Sequence, residues 1–149
     1  MKRFNFRLEK VLQLRKFKEE ECKIALGQAI SILNVIDNKI KETAIRHHQA
    51  ALNRFENPAE IASWDLYILR LEHEARQLAE QAAQAELVVE EKRTLYMEAS
   101  QELKAMEKLK EKRKEEYHKE MEKHEMKEID EITAARFARR INISYVENA

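Results

Sequence analysis

From Ile61 onward, apolar residues recur in alternating steps of three and four: Trp64, Ile68, Leu71, Ala75, Leu78, Ala82, Ala85, Val89, then Lys92, Tyr96, Ala99, Leu103 and Met106. Thirteen of these fourteen positions are apolar, Lys92 being the exception. A 3.5-residue repeat sustained this long predicts a helix that supercoils left-handedly against another helix. At 1.5 Å per residue the stripe is about 70 Å long. Its several alanines predict close approach of the two helices.

Upstream the pattern is less regular. Ala29, Leu33, Ile36, Ile40, Ala44, His47, Ala51 and Phe55 follow steps of three or four, and Leu8, Val11, Leu12 and Cys22 extend the stripe. Leu14, Phe17 and Ile24 lie on another face, which reads either as a broad stripe or as a second contact surface.

One break separates the two patterns. In Asn57-Pro58-Ala59-Glu60, Asn57 reads as an N-cap, Pro58 as the first helical residue and Glu60 as the partner of a capping box. The residue before a proline is pushed out of the α region, so the first helix is expected to end near Phe55. The expected elements are helix 1 over about 5–55, a turn at about 55–58, helix 2 over about 58–140 and a frayed tail over 141–149. Two helices joined by a short turn fold back antiparallel, with residue i facing roughly residue 113 minus i. The fold class is therefore all-α: a single long two-helix antiparallel coiled-coil hairpin whose second helix overhangs the first. Helix 1 runs out opposite about Leu109. From Glu107 to Glu131, eighteen of twenty-five residues are charged, as a solvated overhang requires.

Composition agrees with that architecture. The 149 residues include one Gly, one Pro and 38% charged residues, which leaves little for turns or strands. Twenty-eight basic residues balance twenty-eight acidic ones, which argues against general nucleic-acid binding. The single cysteine, Cys22, has no internal disulfide partner and suits a reducing compartment. No apolar run reaches the roughly 18 residues of a membrane span, and Met1–Lys10 lacks an apolar signal core; the expected location is inside the cell.

Catalytic chemistry finds no foothold. One glycine cannot build a phosphate loop, and a two-helix seam offers no concave site for a nucleophile and base. Glu115 and His118 make one Glu-x-x-His step, but a di-metal bundle needs a duplicate and two further glutamates. His118 and His124 lie in the charged run, and His47-His48 read as a surface pair. The expectation is no enzyme, no metal and no cofactor.

Charge is nevertheless uneven. Residues 1–18 hold Lys2, Arg3, Arg7, Lys10, Arg15, Lys16 and Lys18 against Glu9, a local balance of 7 − 1 = +6. Arg136, Arg139 and Arg140 lie near the other terminus. These cations read either as a solvated arm or as an electrostatic contact with an acidic partner or an anionic membrane surface.

Phe4-Asn5-Phe6-Arg7-Leu8-Glu9-Lys10-Val11-Leu12, followed by Arg15 and Glu19-Glu20-Glu21, resembles the opening of the flagellar type III export protein FliJ family. Lys114-Glu115-Glu116-Tyr117, Glu128-Ile129-Asp130-Glu131-Ile132 and Ala135-Arg136-Phe137 resemble that family's end. The resemblance implies a protein like the central stalk of rotary ATPases, which inserts the open end of its hairpin into the ring of the export ATPase FliI and promotes assembly and hydrolysis. It implies contacts with the export gate protein FlhA and with export chaperones, and a place at the cytoplasmic face of the inner membrane, peripherally associated with it. Carried over by position, Arg7, Leu8, Val11, Leu12, Arg15, Lys18, Tyr117, Arg136, Arg139 and Arg140 become candidates for the ring contact. Trp64, Tyr67 and Leu71 become candidates for the gate contact, although Trp64 and Leu71 are equally seam residues. A stalk of a virulence secretion system and a purely structural coiled coil remain as alternatives.

Overall fold

The computed structural model describes residues 3–53 and 55–147. Lys2 of the basic arm and the last two residues of the tail lie outside the described residues. The chain forms two helices, α1 (Glu9–Ala51) and α2 (Pro58–Glu147), packed against each other as an antiparallel hairpin. Cα packing divides it into two compact units, Gln13–Leu103 and Met1–Leu12 with Lys104–Ala149.

In the unit Gln13–Leu103 the link between the helices sets the register. α1 stops four residues before the expected Phe55. Leu52 N–H is shared between the His48 and Gln49 carbonyls at 3.3 Å each, and Asn53 N–H reaches Ala50 O at 3.2 Å. Such tightening satisfies the last carbonyls of a helix that is ending. Asn57 then starts α2: its Oδ1 accepts from Ala59 N–H at 3.1 Å, and its carbonyl accepts from Glu60 and Ile61 N–H, both at 3.1 Å. Trp64 Nε1–H donates to Ala50 O at 2.7 Å, so the end of α1 faces Trp64. The first turn of α2 therefore faces the link rather than α1, and Ile61 stays exposed. As a result the helices face each other about one turn further along than 113 minus i: Thr43 hydrogen-bonds Glu74 and Arg15 pairs with Glu102.

The α2 stripe is the expected one, with Leu71, Leu78, Val89 and Ala99 buried and Ile61 and Ala75 the two exposed members. The α1 stripe is more regular than its apolar residues indicate. Half-buried or buried side chains fall at Leu12, Arg15, Glu19, Cys22, Leu26, Ala29, Leu33, Ile36, Ile40, Thr43, His47 and Ala50, an unbroken alternation of three and four. Two expected members are displaced by one residue, because Thr43 and Ala50 are buried while Ala44 and Ala51 are exposed. Stepping only between apolar residues passes over Thr43, yet its hydroxyl is satisfied in place: it donates to Glu74 Oε1 at 3.4 Å and accepts from Arg46 Nη2 at 3.2 Å. Leu14, Phe17 and Ile24 lie outside this stripe and are exposed.

The other unit joins the chain's first residues to the C-terminal part of α2. Residues 3–6 are not helical, and α1 begins at Glu9 rather than near residue 5; Glu9 N–H donates to Phe6 O, 3.0 Å away. Beyond Met121 every described side chain through residue 146 is exposed, so nothing in this unit covers that length of helix. It nevertheless stays helical to Glu147 instead of fraying after residue 140. No Gly or Pro interrupts it, and Ser144 Oγ caps inward onto Ile141 O at 2.7 Å.

Candidate partner-binding surfaces

Three surfaces carry the residues singled out by sequence. The first is the N-terminal arm against α2. Phe4 and Phe6 lie in the non-helical stretch 3–6 ahead of α1. Phe6 is buried, and Phe4 stacks on Tyr117 with ring centroids 5.6 Å apart at 50°. Tyr117 also meets His118 edge-on at 5.8 Å. Lys110 Nζ pairs with Glu9 at 2.8 Å and closes the end of α1 onto α2. Around these anchors a groove of about 770 Å³ runs beside Arg3, Arg7, Leu8, Leu109 and Arg113.

The ring-contact candidates divide on this geometry. Leu12, only 2% exposed, packs inside the hairpin, and Tyr117 holds the arm. Arg7 is exposed, and Leu8 and Val11 lie at the margin of the groove and seam. Arg15, in the other unit, is bound to Glu102, with Lys18 Nζ 3.7 Å from the same carboxylate. Phe6 was not among the candidates, although the Phe-x-Phe pair ahead of the helix signals an anchored arm.

The second surface is the end of α2. Arg136, Arg139 and Arg140 are exposed and sit roughly 28 Å or more along the helix from Tyr117 at 1.5 Å per residue, so they are not gathered with the arm. Between Glu131 and Glu147 there is no acidic residue. The steps of three and four that begin at Ile61 land, in phase, on Ala134, Ala138, Ile141 and Tyr145. Phe137 flanks that stripe, and the three arginines fall on the remaining circumference. The segment is basic, Ile132, Ile143 and Val146 share the arginine face, and among the described residues nothing buries either face. Counting the heptad through the charged run, instead of stopping at Met106, reveals the stripe in the sequence.

The third surface is the turn. Leu71 is 2% exposed and belongs to the core. Trp64 is half-buried, hydrogen-bonded to Ala50 O and set against Phe55 at 6.2 Å. Tyr67 is the gate-contact candidate that reaches solvent, beside a groove of about 440 Å³ floored by Trp64 and Phe55.

Among the described residues no three His, Cys, Asp or Glu side chains converge as a metal site, and no helix is long and apolar enough to cross a membrane. His124 Nδ1 lies 3.3 Å from Glu128, one turn along an exposed face.

Comparison with protein families matches residues 4–142 to the flagellar FliJ protein family. The chain belongs to that family. The match takes in the arm, both helices and the basic segment through Asn142. It makes the chain an export-related coiled-coil component of the flagellum, whose partners belong to the flagellar export apparatus. Neither the curated proteins nor the solved structures returned a match. In this FliJ-family hairpin the arm, the turn and the C-terminal segment carry the solvent-facing candidates Arg7, Tyr67, Arg136, Arg139 and Arg140.

Proposed function

We propose that this chain binds the hexameric export ATPase FliI and stimulates its hydrolysis, acting from the cytoplasmic face of the inner membrane. The carrying observation is the segment 132–146. It has an apolar stripe in phase with the hairpin seam, three arginines, no carboxylate and no facing helix. A helix surface of that kind gains most from a partner that covers the stripe while acidic groups meet the arginines. The Phe4–Tyr117 anchor holds the arm on the same unit, where the exposed Arg7 offers a second cationic contact apart from the three arginines. At the turn, the exposed edge of Tyr67 beside Trp64 supports a contact with the export gate protein FlhA. Export chaperones complete the partner set, which makes the protein a link between cargo delivery, ATPase and gate.

The test is co-purification of the full chain with FliI from the same organism, with ATP hydrolysis followed as the chain is titrated in. A complex with raised turnover is expected. An ATPase that neither binds the chain nor changes its rate would overturn the reading.

A further inference from the structure

We infer that one side of the hairpin, in the unit Gln13–Leu103, is a docking groove for a separate amphipathic helix whose apolar stripe is flanked by Lys or Arg. This inference is independent of the ATPase reading and concerns a different surface.

In a coiled coil, the positions beside the a/d seam are ordinarily charged and pair across it. Here two such pairs form on one side, Lys18 with Glu102 and Arg46 with Glu74, and in both the residue numbers sum to 120. Between them the same rule sets Ala25 opposite Leu95 and Ile32 opposite Val88. Four apolar residues thus occupy positions where charge is the rule. Three of them are uncovered, Ile32 at 60% exposure, Leu95 at 48% and Val88 at 44%, and Ala25 is half-buried. Val35, next outward on α1, is 50% exposed. A shallow groove of about 190 Å³ between Ala25 and Leu95, with Cys22 and Lys92 in it, marks this side.

The opposite side of the seam differs. There Lys23, Asp37, Glu72, Glu86 and Arg93 alternate with Ile30, Ala44 and Ala79 along the two helices, and Ile30, at 37%, is less exposed than Ile32, Val88 and Leu95. The larger exposed apolar side chains, Ile32, Val35, Val88 and Leu95, gather on the first side.

Charge names the occupant. Along the groove, outside the two closing ion pairs, lie Glu21, Glu42, Glu91 and Glu98 against Lys39 and Lys92, a balance of 2 − 4 = −2. An apolar strip with an acidic rim complements an amphipathic helix with basic flanks. A second copy docking this side onto itself would set like charges together, so a different chain fits better.

The probe is a synthetic 21-residue helix with Leu along one stripe and Lys flanking it, titrated into the full chain and followed by fluorescence anisotropy. A matched peptide with Glu in place of every Lys provides the charge control. Tight binding of the Lys peptide is expected, with the Glu peptide at least tenfold weaker. Val88→Glu with Leu95→Glu should weaken the Lys peptide at least tenfold while circular dichroism and the melt stay as in the parent. Leu69→Glu, an exposed position away from this side, should change nothing. Equal binding of the two peptides would overturn the proposal. So would binding that survives the double substitution, which would mean the peptide enters the seam by exchange. Concentration-dependent self-association lost in the double variant would assign the groove to a second copy instead and equally overturn it.

Discussion

Thr43 is the most buried polar side chain described, at 1% exposure, and its neighbourhood explains why a hydroxyl is tolerated in the seam. It shares Glu74 with Arg46, whose Nη2 reaches the same oxygen at 2.8 Å. Thr43→Val keeps the shape and removes the hydroxyl. It should cost less than about 1 kcal/mol, because Arg46 and Glu74 still satisfy each other and no buried group is orphaned. Leu71→Ala removes a buried side chain and should cost about 2 kcal/mol, the low end of the usual range, since a two-helix seam collapses around the cavity readily. Gly27 offers the opposite case. It lies within α1, and an added Cβ there would meet nothing within 4 Å. Gly27→Ala should raise stability by about 0.5–1 kcal/mol through helix propensity and a less flexible unfolded chain. Thermal melts of the three variants check all of this; a destabilised Gly27→Ala would mean that residue 27 is not in an open helical position.

At the scale of elements, α2 was legible and α1 only partly so. The α2 repeat is built from apolar residues, so counting them recovers Leu71, Leu78, Val89 and Ala99. In α1 the same repeat runs through Arg15, Glu19, Thr43 and His47, and hydrophobicity alone cannot follow it there. What restores the register is pairing across the seam, Arg15 with Glu102 and Thr43 with Glu74, which is a property of two helices and not of one segment. The ends follow the same logic. Asn57-Pro58 announced the start of α2 because a cap is local chemistry. The stop of α1 at Ala51 depends on Trp64 bonding Ala50 O, a tertiary contact fourteen residues away. Asn57→Ala should therefore cost about 1 kcal/mol as a lost cap. Trp64→Phe should cost less than about 1 kcal/mol, because the Ala50 carbonyl loses one of two donors and keeps Asn53 N–H, while the ring stays beside Phe55. If Asn57→Ala melts like the parent, the cap contributes nothing and the break is set by Pro58 alone.

For the whole molecule, the partition of candidate residues decides how the proposed ATPase contact is best probed. Arg15 and Lys18 already meet Glu102, so reversing them would damage the hairpin and confuse binding with folding. Leu12 and Leu71 are core residues with the same difficulty. Arg136, Arg139 and Arg140 are exposed and distant from the seam, which makes them the clean choice. Gln suits the substitution better than Glu, because it removes the positive charge without adding a carboxylate that would itself repel an acidic partner. The triple Arg→Gln chain should keep its helix content and melt. If the ring contact is electrostatic there, FliI binding should weaken and its remaining salt dependence should flatten, since exposed charges are screened beyond about 8 Å at physiological ionic strength. Phe137→Ala with Ile141→Ala should weaken binding too, but leave the salt slope as it was, because those side chains contribute buried area and no charge. Anionic vesicles titrated in parallel separate protein from lipid: a triple variant that loses vesicle binding yet stimulates FliI as the parent does would move the arginines from the ring to the membrane surface. Full stimulation by both variants would leave the arm, with Arg7 and Leu8 beside the Phe4–Tyr117 anchor, as the surface that the ATPase meets.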